Sequence, residues 1–324
     1  MASHPITDPK AIGLRKVSIE RASGLTPDVF LLRYLSGLGK PVIVTDAITS
    51  WNALSHWSFD FFKKRYGSDR VGPRIFTGVG HLKPMPLSEY INYLDAPEAI
   101  PGGLWIDPKT LHPRPAPATL ASPLYLAWNV FPAHPELLDD IELSPSFVED
   151  WLPLLPAAFR KNMDTATRYF SAGLMIGTTN SQTRLHYDFL DSHAYLAQIV
   201  GSKSCLLFSP EDSAALYEGK VDLNEPDFEK FPLFRKATAY ECTLHPGELL
   251  FIPYRWWHHV VNLEKSITVN YNFFNRVNFG AYMTHLLRDL PALVEGLQNS
   301  PEDRAALEIK WTSRGFDFPD SQKV

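Results

Sequence analysis

The chain has only two cysteines, Cys205 and Cys242, and neither belongs to a Cys-x-x-Cys pair. A disulfide framework or a thiolate zinc site is therefore not expected. Both lie in apolar, strand-like surroundings, which marks them as buried free thiols. No apolar run approaches the roughly 18 residues of a membrane-spanning helix. Residues 1–25 contain no continuous apolar stretch of the kind a secretory leader needs. A reducing setting follows as the simplest expectation: the cytoplasm, or the nucleus if the source is eukaryotic. Long basic blocks are absent and the net charge is −5, so no nucleic-acid partner is expected. There is no internal repeat.

What is present describes a folded protein with a sizeable core, 45% hydrophobic and 21% charged. Its 27 prolines suit frequent turns between short strands. Thr26 and Pro27 can start a helix reaching Leu35, and Ser58 can cap another over Phe59–Tyr66. Lys40–Thr45 reads as a strand, Leu87–Leu94 as a helix, and 96–123 as a long ordered loop. Leu124–Val130 is a strand, followed by helical segments at Pro135–Leu143 and Ser146–Trp151. Strands then dominate: Tyr169–Ile176, Thr183–Asp188, Ala194–Val200, Ser204–Ser209, Ala239–Leu244, Glu248–Pro253, His259–Leu263 and Ile267–Phe273. Repeated short strands separated by turns predict a mainly β sandwich or jelly roll with flanking helices. The chain thus divides into helix-and-strand segments at 1–120, a β core at 121–280, and helices at 281–324. The last stretch carries Leu at helical spacing, which could pack on the core or serve as a homodimer element.

One short stretch carries chemistry. In Thr183-Arg184-Leu185-His186-Tyr187-Asp188, His186 and Asp188 are two apart, so on extended backbone an imidazole and a carboxylate converge. They would be two ligands of a 2-His-1-carboxylate iron site. The stretch Gly247–Val261 offers a third. A strand ends at Pro253, a corner follows, and His258 or His259 opens the next strand. Alternation lets only one of them point inward. His258 is the preferred ligand, because it leaves Val260 and Leu263 easier to place.

His186-x-Asp188, Pro246-Gly247-Glu248, Phe251-Ile252-Pro253 and Trp256-Trp257-His258-His259-Val260 together resemble the JmjC/cupin-type Fe(II)- and 2-oxoglutarate-dependent oxygenases, the hydroxylase subgroup in particular. Gly39–Val44 with Trp51 is similar to the opening of these proteins. The resemblance covers roughly 30 to 280. It implies a double-stranded β-helix, iron on His186, Asp188 and His258, and 2-oxoglutarate and O2 as cosubstrates. The 5-carboxylate of 2-oxoglutarate would be held by Lys203 and Thr183, with Tyr125 and Asn270 beside it. The reaction implied is hydroxylation of an unactivated C–H bond, with a protein or peptide side chain as substrate. Alternatives are the same chemistry on a small molecule, or a non-catalytic metal-binding cupin. The asparagine often found shortly after the His-x-Asp pair is absent, and Ser192 or His193 would occupy that space.

Overall fold

The computed structural model describes residues 13–73, 81–82, 84–97, 104–106, 113–115, 123–154 and 172–284. Eleven strands of the two larger sheets matter here: β1 Arg15–Ser18, β2 Glu20–Ala22, β3 Val42–Val44, β4 Tyr125–Trp128, β5 Ala172–Gly177, β6 His193–Val200, β7 Lys203–Phe208, β8 Thr238–Leu244, β9 Leu249–Ile252, β10 Trp257–Asn262 and β11 Ser266–Phe273. Seven form one sheet in the order β2-β3-β9-β6-β11-β5-β4, and four form a second in the order β1-β8-β7-β10. Hydrogen-bonded neighbours distant in sequence, such as β6 beside β9 and β11, are the winding of a jelly roll.

Side-chain alternation divides the core in two. Ala194, Leu196, Cys205, Leu207, Leu250, Ile252 and Val260 pack between the sheets. Residues one position along, including Tyr195, Ala197, Phe251, Val269, Tyr271 and Phe273, face the N-terminal helices instead. There the Phe30 ring meets Phe147 and Phe251 edge-on at 5.1 and 4.8 Å. The helix Phe59–Tyr66 begins where the Ser58 hydroxyl accepts the Phe61 N–H at 3.1 Å. The outer face of the four-stranded sheet is covered by Leu216, Val221, Leu223 and Phe234 from the long β7–β8 connection.

Several expectations need correction. The helix opened by Thr26 is α-helical only over Pro27–Phe30 and continues as π-helix over Leu31–Leu35. Ser146–Trp151 forms turns, with a short 3-10 segment only at Leu152–Leu154. Pro153 stops a helix from running on past this stretch, which at six residues is too short to hold a helix by itself. The expected loop at 96–123 contains two short strands, Leu104–Ile106 and Pro113–Pro115, which join His81–Leu82 in a small sheet. Thr183–Asp188 is extended, but it pairs only through isolated bridges. Of the C-terminal helices, residues 285–324 lie outside the described residues, and with them the expected dimer element. No helix among the described residues is long and apolar enough to cross a membrane.

Candidate metal and cosubstrate site

Gln182 bridges to Val261 and His186 to His258, so three residues on one side face two on the other. This extra residue is a β-bulge. Its local cause is Thr183, whose Oγ1 accepts the Val260 N–H at 3.2 Å in place of a backbone carbonyl. The bulge sets the register of the segment that carries His186 and Asp188. His186 and His258 then exchange both backbone hydrogen bonds, at 3.1 and 2.7 Å, and their rings lie 4.2 Å apart. Asp188 stays extended and places its carboxylate 3.9 Å from His258 Nε2. One ligand atom from each of His186, Asp188 and His258 lies within 4.8 Å of the others.

Both imidazoles are oriented in the same way. His186 Nδ1 is 2.7 Å from the Arg184 carbonyl oxygen, and His258 Nδ1 is 3.1 Å from that of Trp256. A carbonyl can only accept, so each Nδ1 carries the proton and each Nε2 presents a lone pair. Burial and then the neighbouring His258 push the His186 pKa down to about 3. Burial raises that of Asp188, opposed by His258 and by a hydrogen bond from Asn272. Two imidazoles presenting Nε2 and one carboxylate are a donor set that suits a divalent metal such as iron.

His259 faces the other way. It lies opposite Leu206, whose side chain belongs to the outer cluster, and it lines a cleft of about 180 Å³ with Leu185, Lys220 and Asp222.

Polar groups extend along the same inner face. His258 and Asn262 are four residues apart on β10, about 13 Å at strand rise. Directly across the ladder from Asn262 lies Lys203, only 1% exposed. Its ammonium donates to Tyr125 Oη at 2.6 Å and to Asn262 Oδ1 at 2.7 Å, both neutral. No carboxylate pairs with it among the described residues. Burial alone pushes its pKa down to about 7. A buried ammonium with one N–H left to give and no counter-ion suits a carboxylate ligand. The cradle is completed by Ser181, whose Oγ accepts from Asn262 Nδ2 at 2.7 Å, and by Gly177. A Cβ on Gly177 would lie 2.2 Å from Ser181 Oγ and 2.6 Å from the Tyr125 ring, so only glycine leaves this space open. Thr183 is buried too, with its hydroxyl on the Val260 N–H.

Asn270 occupies a different place from the lysine cradle. Its Nδ2 donates to Asn272 Oδ1 at 2.8 Å, and Asn272 in turn donates to Ser192 Oγ at 3.1 Å and supports Asp188. Ser192 therefore occupies the space after the His-x-Asp pair. His193 points to the opposite face, against Phe251 and Phe273. A further clamp joins the corners beside Asp188 and His258. Arg255 donates to the buried Asp191 at 2.8 and 2.6 Å, tying the turn after Asp188 to the turn before His258. Asn262, Asn272, Ser181 and Gly177 are site residues that the sequence motifs do not reveal. For the two asparagines a signal exists, because polar residues at even spacing interrupt otherwise apolar strands.

The cupin-like domain family model matches residues 27–279. The arginine-specific demethylase JMJ20 of Arabidopsis thaliana is 26% identical over 310 residues, covering 87% of this chain and 62% of that protein. The tRNA wybutosine-synthesizing protein 5 of Gallus gallus is 37% identical over 121 residues, 36% of each chain. The lysine-specific demethylase 8 of Xenopus tropicalis is 29% identical over 248 residues, 72% of this chain and 47% of its own. In each case the match spans less than two thirds of the relative's length. Since the family model takes in both the barrel and the N-terminal helices packed on it, the chain belongs to the cupin-like, JmjC-type family.

Proposed function

We propose that the protein is an Fe(II)- and 2-oxoglutarate-dependent oxygenase that hydroxylates an unactivated C–H bond, with a protein or peptide side chain as substrate. The observation that carries this is the sharing of one barrel lumen by His186, Asp188 and His258 and by a buried lysine that has no carboxylate partner among the described residues. His186 Nε2, His258 Nε2 and the Asp188 carboxylate would hold the metal. Lys203, helped by the Thr183 and Tyr125 hydroxyls, would hold the distal carboxylate of 2-oxoglutarate, and Asn270 would act through Asn272 on Asp188. Iron, when bound, would let dioxygen serve as the oxidant, one oxygen atom going to the substrate C–H bond and the other to 2-oxoglutarate, which leaves as succinate and carbon dioxide. The chain's own residues hold these groups in place. Leu207, Leu250, Ile252 and Val260, buried between the two sheets, would keep water from the site.

The relatives named as demethylases fit the same chemistry, because hydroxylating an N-methyl carbon releases formaldehyde. A second reading, a modified nucleoside as substrate, is favoured by the 37% identity to the wybutosine-synthesizing protein, while the chain's net charge of −5 opposes it. The test is succinate formation by Fe(II)-loaded protein with peptides, methylated peptides or tRNA. Peptide-stimulated turnover without formaldehyde supports the proposal. Stimulation by tRNA alone supports the second reading. Failure of the metal-loaded protein to bind 2-oxoglutarate overturns both.

A further inference from the structure

The two cysteines, far apart in sequence, are direct cross-strand neighbours. Cys205 on β7 pairs in register with Cys242 on β8, in an antiparallel ladder that runs from Lys203↔Leu244 to Leu207↔Tyr240. Residues directly opposite in such a ladder lie about 4.5–5.5 Å apart at Cα, within the range a disulfide spans. Both side chains point to the same side, for Cys205 is part of the inter-sheet core and Cys242 packs against it. Both are free thiols. Cys205 is buried and Cys242 is partly exposed. Cys205 also lies two residues from Lys203 on the same face of β7.

We propose that Cys205 and Cys242 form a reversible dithiol–disulfide site whose oxidation weakens the lysine cradle and so lowers affinity for 2-oxoglutarate. The second part rests on the function proposed above, whereas the first does not. The oxidant is a small disulfide such as glutathione disulfide. The Cys242 thiolate, the more accessible, attacks one sulfur and expels one glutathione thiolate, which takes up the proton that Cys242 released. The Cys205 sulfur then attacks the mixed disulfide and expels the second. Two protein thiols lose two electrons and two protons, and one glutathione disulfide becomes two glutathione thiols. Contact with Cys205, and then burial, push the Cys242 thiol well up. The site therefore responds to sustained rather than brief oxidation. Opposed Cβ atoms about 4.5–5.5 Å apart must approach to about 3.8 Å. Closure draws Cys205 toward β8, and the start of β7 with it, so that Lys203 no longer fits between Tyr125 and Asn262.

The experiment uses Mn(II)-loaded protein incubated with glutathione disulfide, alkylated, and mapped by mass spectrometry without reduction. A cross-linked peptide pair joining Cys205 and Cys242, lost on adding dithiothreitol, is the expected result. Stable glutathionylation at Cys242 with Cys205 still reduced, or no reaction at all, overturns the pair. The cross-linked protein should bind 2-oxoglutarate about tenfold more weakly, the effect of impairing one hydrogen bond to a charged group, with recovery on reduction. Unchanged affinity in cross-linked protein overturns the coupling. Cys242→Ser should neither cross-link nor lose affinity under the same treatment, and Cys205→Ala should stop at the mixed disulfide. If reduced protein binds no 2-oxoglutarate while the cross-link still forms, the proposed function fails and the thiol pair stands.

Discussion

Replacing Lys203 by Met removes the ammonium while keeping an unbranched side chain of similar length. The native lysine is 1% exposed and its partners, Tyr125 and Asn262, are neutral. Burial moves its pKa from 10.5 to about 7, which corresponds to a penalty on the order of 5 kcal/mol against the charged form. Below about pH 7 the lysine is charged in both folded and unfolded chains, and the folded state carries the full penalty. Between about 7 and 10.5 the unfolded chain holds a proton that the folded protein has released, so stability without cosubstrate rises with pH. A carboxylate ligand reverses this, because it favours the ammonium and binding then takes up a proton. Affinity for 2-oxoglutarate should be flat below about pH 7 and fall up to about tenfold per pH unit above it. Lys203→Met should lose a charge-assisted hydrogen bond worth about 1.5–3 kcal/mol, a weakening of about 10- to 150-fold, and should abolish the pH slope. The assay is calorimetric titration of Mn(II)-loaded protein across about pH 6 to 8.5, with metal content as the control for an intact triad. Binding by the variant within about twofold of the parent, or a parent affinity that is flat across neutrality, would refute the assignment of Lys203 as the carboxylate anchor.

Other perturbations separate the metal end from the cosubstrate end. His186→Ala or Asp188→Ala should lower metal content measured by elemental analysis and abolish 2-oxoglutarate turnover; a folded, metal-replete, fully active variant would count against the triad. Gly177→Ala puts a methyl group 2.2 Å from Ser181 Oγ and 2.5 Å from Asn262 Nδ2. It should cost about 1–3 kcal/mol in denaturant unfolding and weaken 2-oxoglutarate without displacing metal. Arg255→Ala leaves the buried Asp191 without its guanidinium. Because Arg255 is half exposed, the loss should be about 1–2 kcal/mol, read as a lower midpoint in thermal unfolding.

The parts of this structure that can be read from the sequence are those fixed by local chemistry. Thr26, Pro27 and Ser58 mark helix starts because a hydroxyl beside orphaned N–H groups acts within one turn. The β strands after residue 172 declare themselves through alternation and turn residues. His186-x-Asp188 is visible because two side chains, two apart on one extended segment, share a side whatever the rest of the fold does. Where longer-range pairing decides, the sequence is silent. Nothing in Thr183–Asp188 announces that Thr183 will take the Val260 N–H with its side chain and turn a strand into a bulge. That substitution depends on β10, some 75 residues away, and it is what lets His186 face His258 squarely. Ser146–Trp151 lacks helix for a local reason, but Leu31–Leu35 becomes π-helix in a chain whose composition suits an ordinary one.

The lysine shows the same division more sharply. A lysine following Gly201-Ser202 at a turn is, by local rules, a solvated residue. Its burial arises because β7 is flanked by β10, which brings Asn262 into register with Lys203, and because β4 adds Tyr125 from the far edge of the other sheet. Three segments separated by nearly 140 residues are needed before the ammonium has any partner. The polar lumen is nevertheless written in the strands as a departure from their own pattern. On β10 and β11 the inward positions hold His258 and Asn262, then Thr268, Asn270 and Asn272, where an inert barrel would place apolar residues throughout. Buried polar side chains at alternate positions of two adjacent strands have a cost unless each finds a partner. These residues find partners chiefly in one another: Thr268 in Gln198, Asn270 in Asn272, and Asn272 in Ser192 and Asp188. Lys203 is different, because its partners leave its charge unbalanced. A network that satisfies its hydrogen bonds but has a buried ammonium at one end and two imidazoles and a carboxylate at the other fits the proposed 2-oxoglutarate, whose two ends carry the groups that each would take.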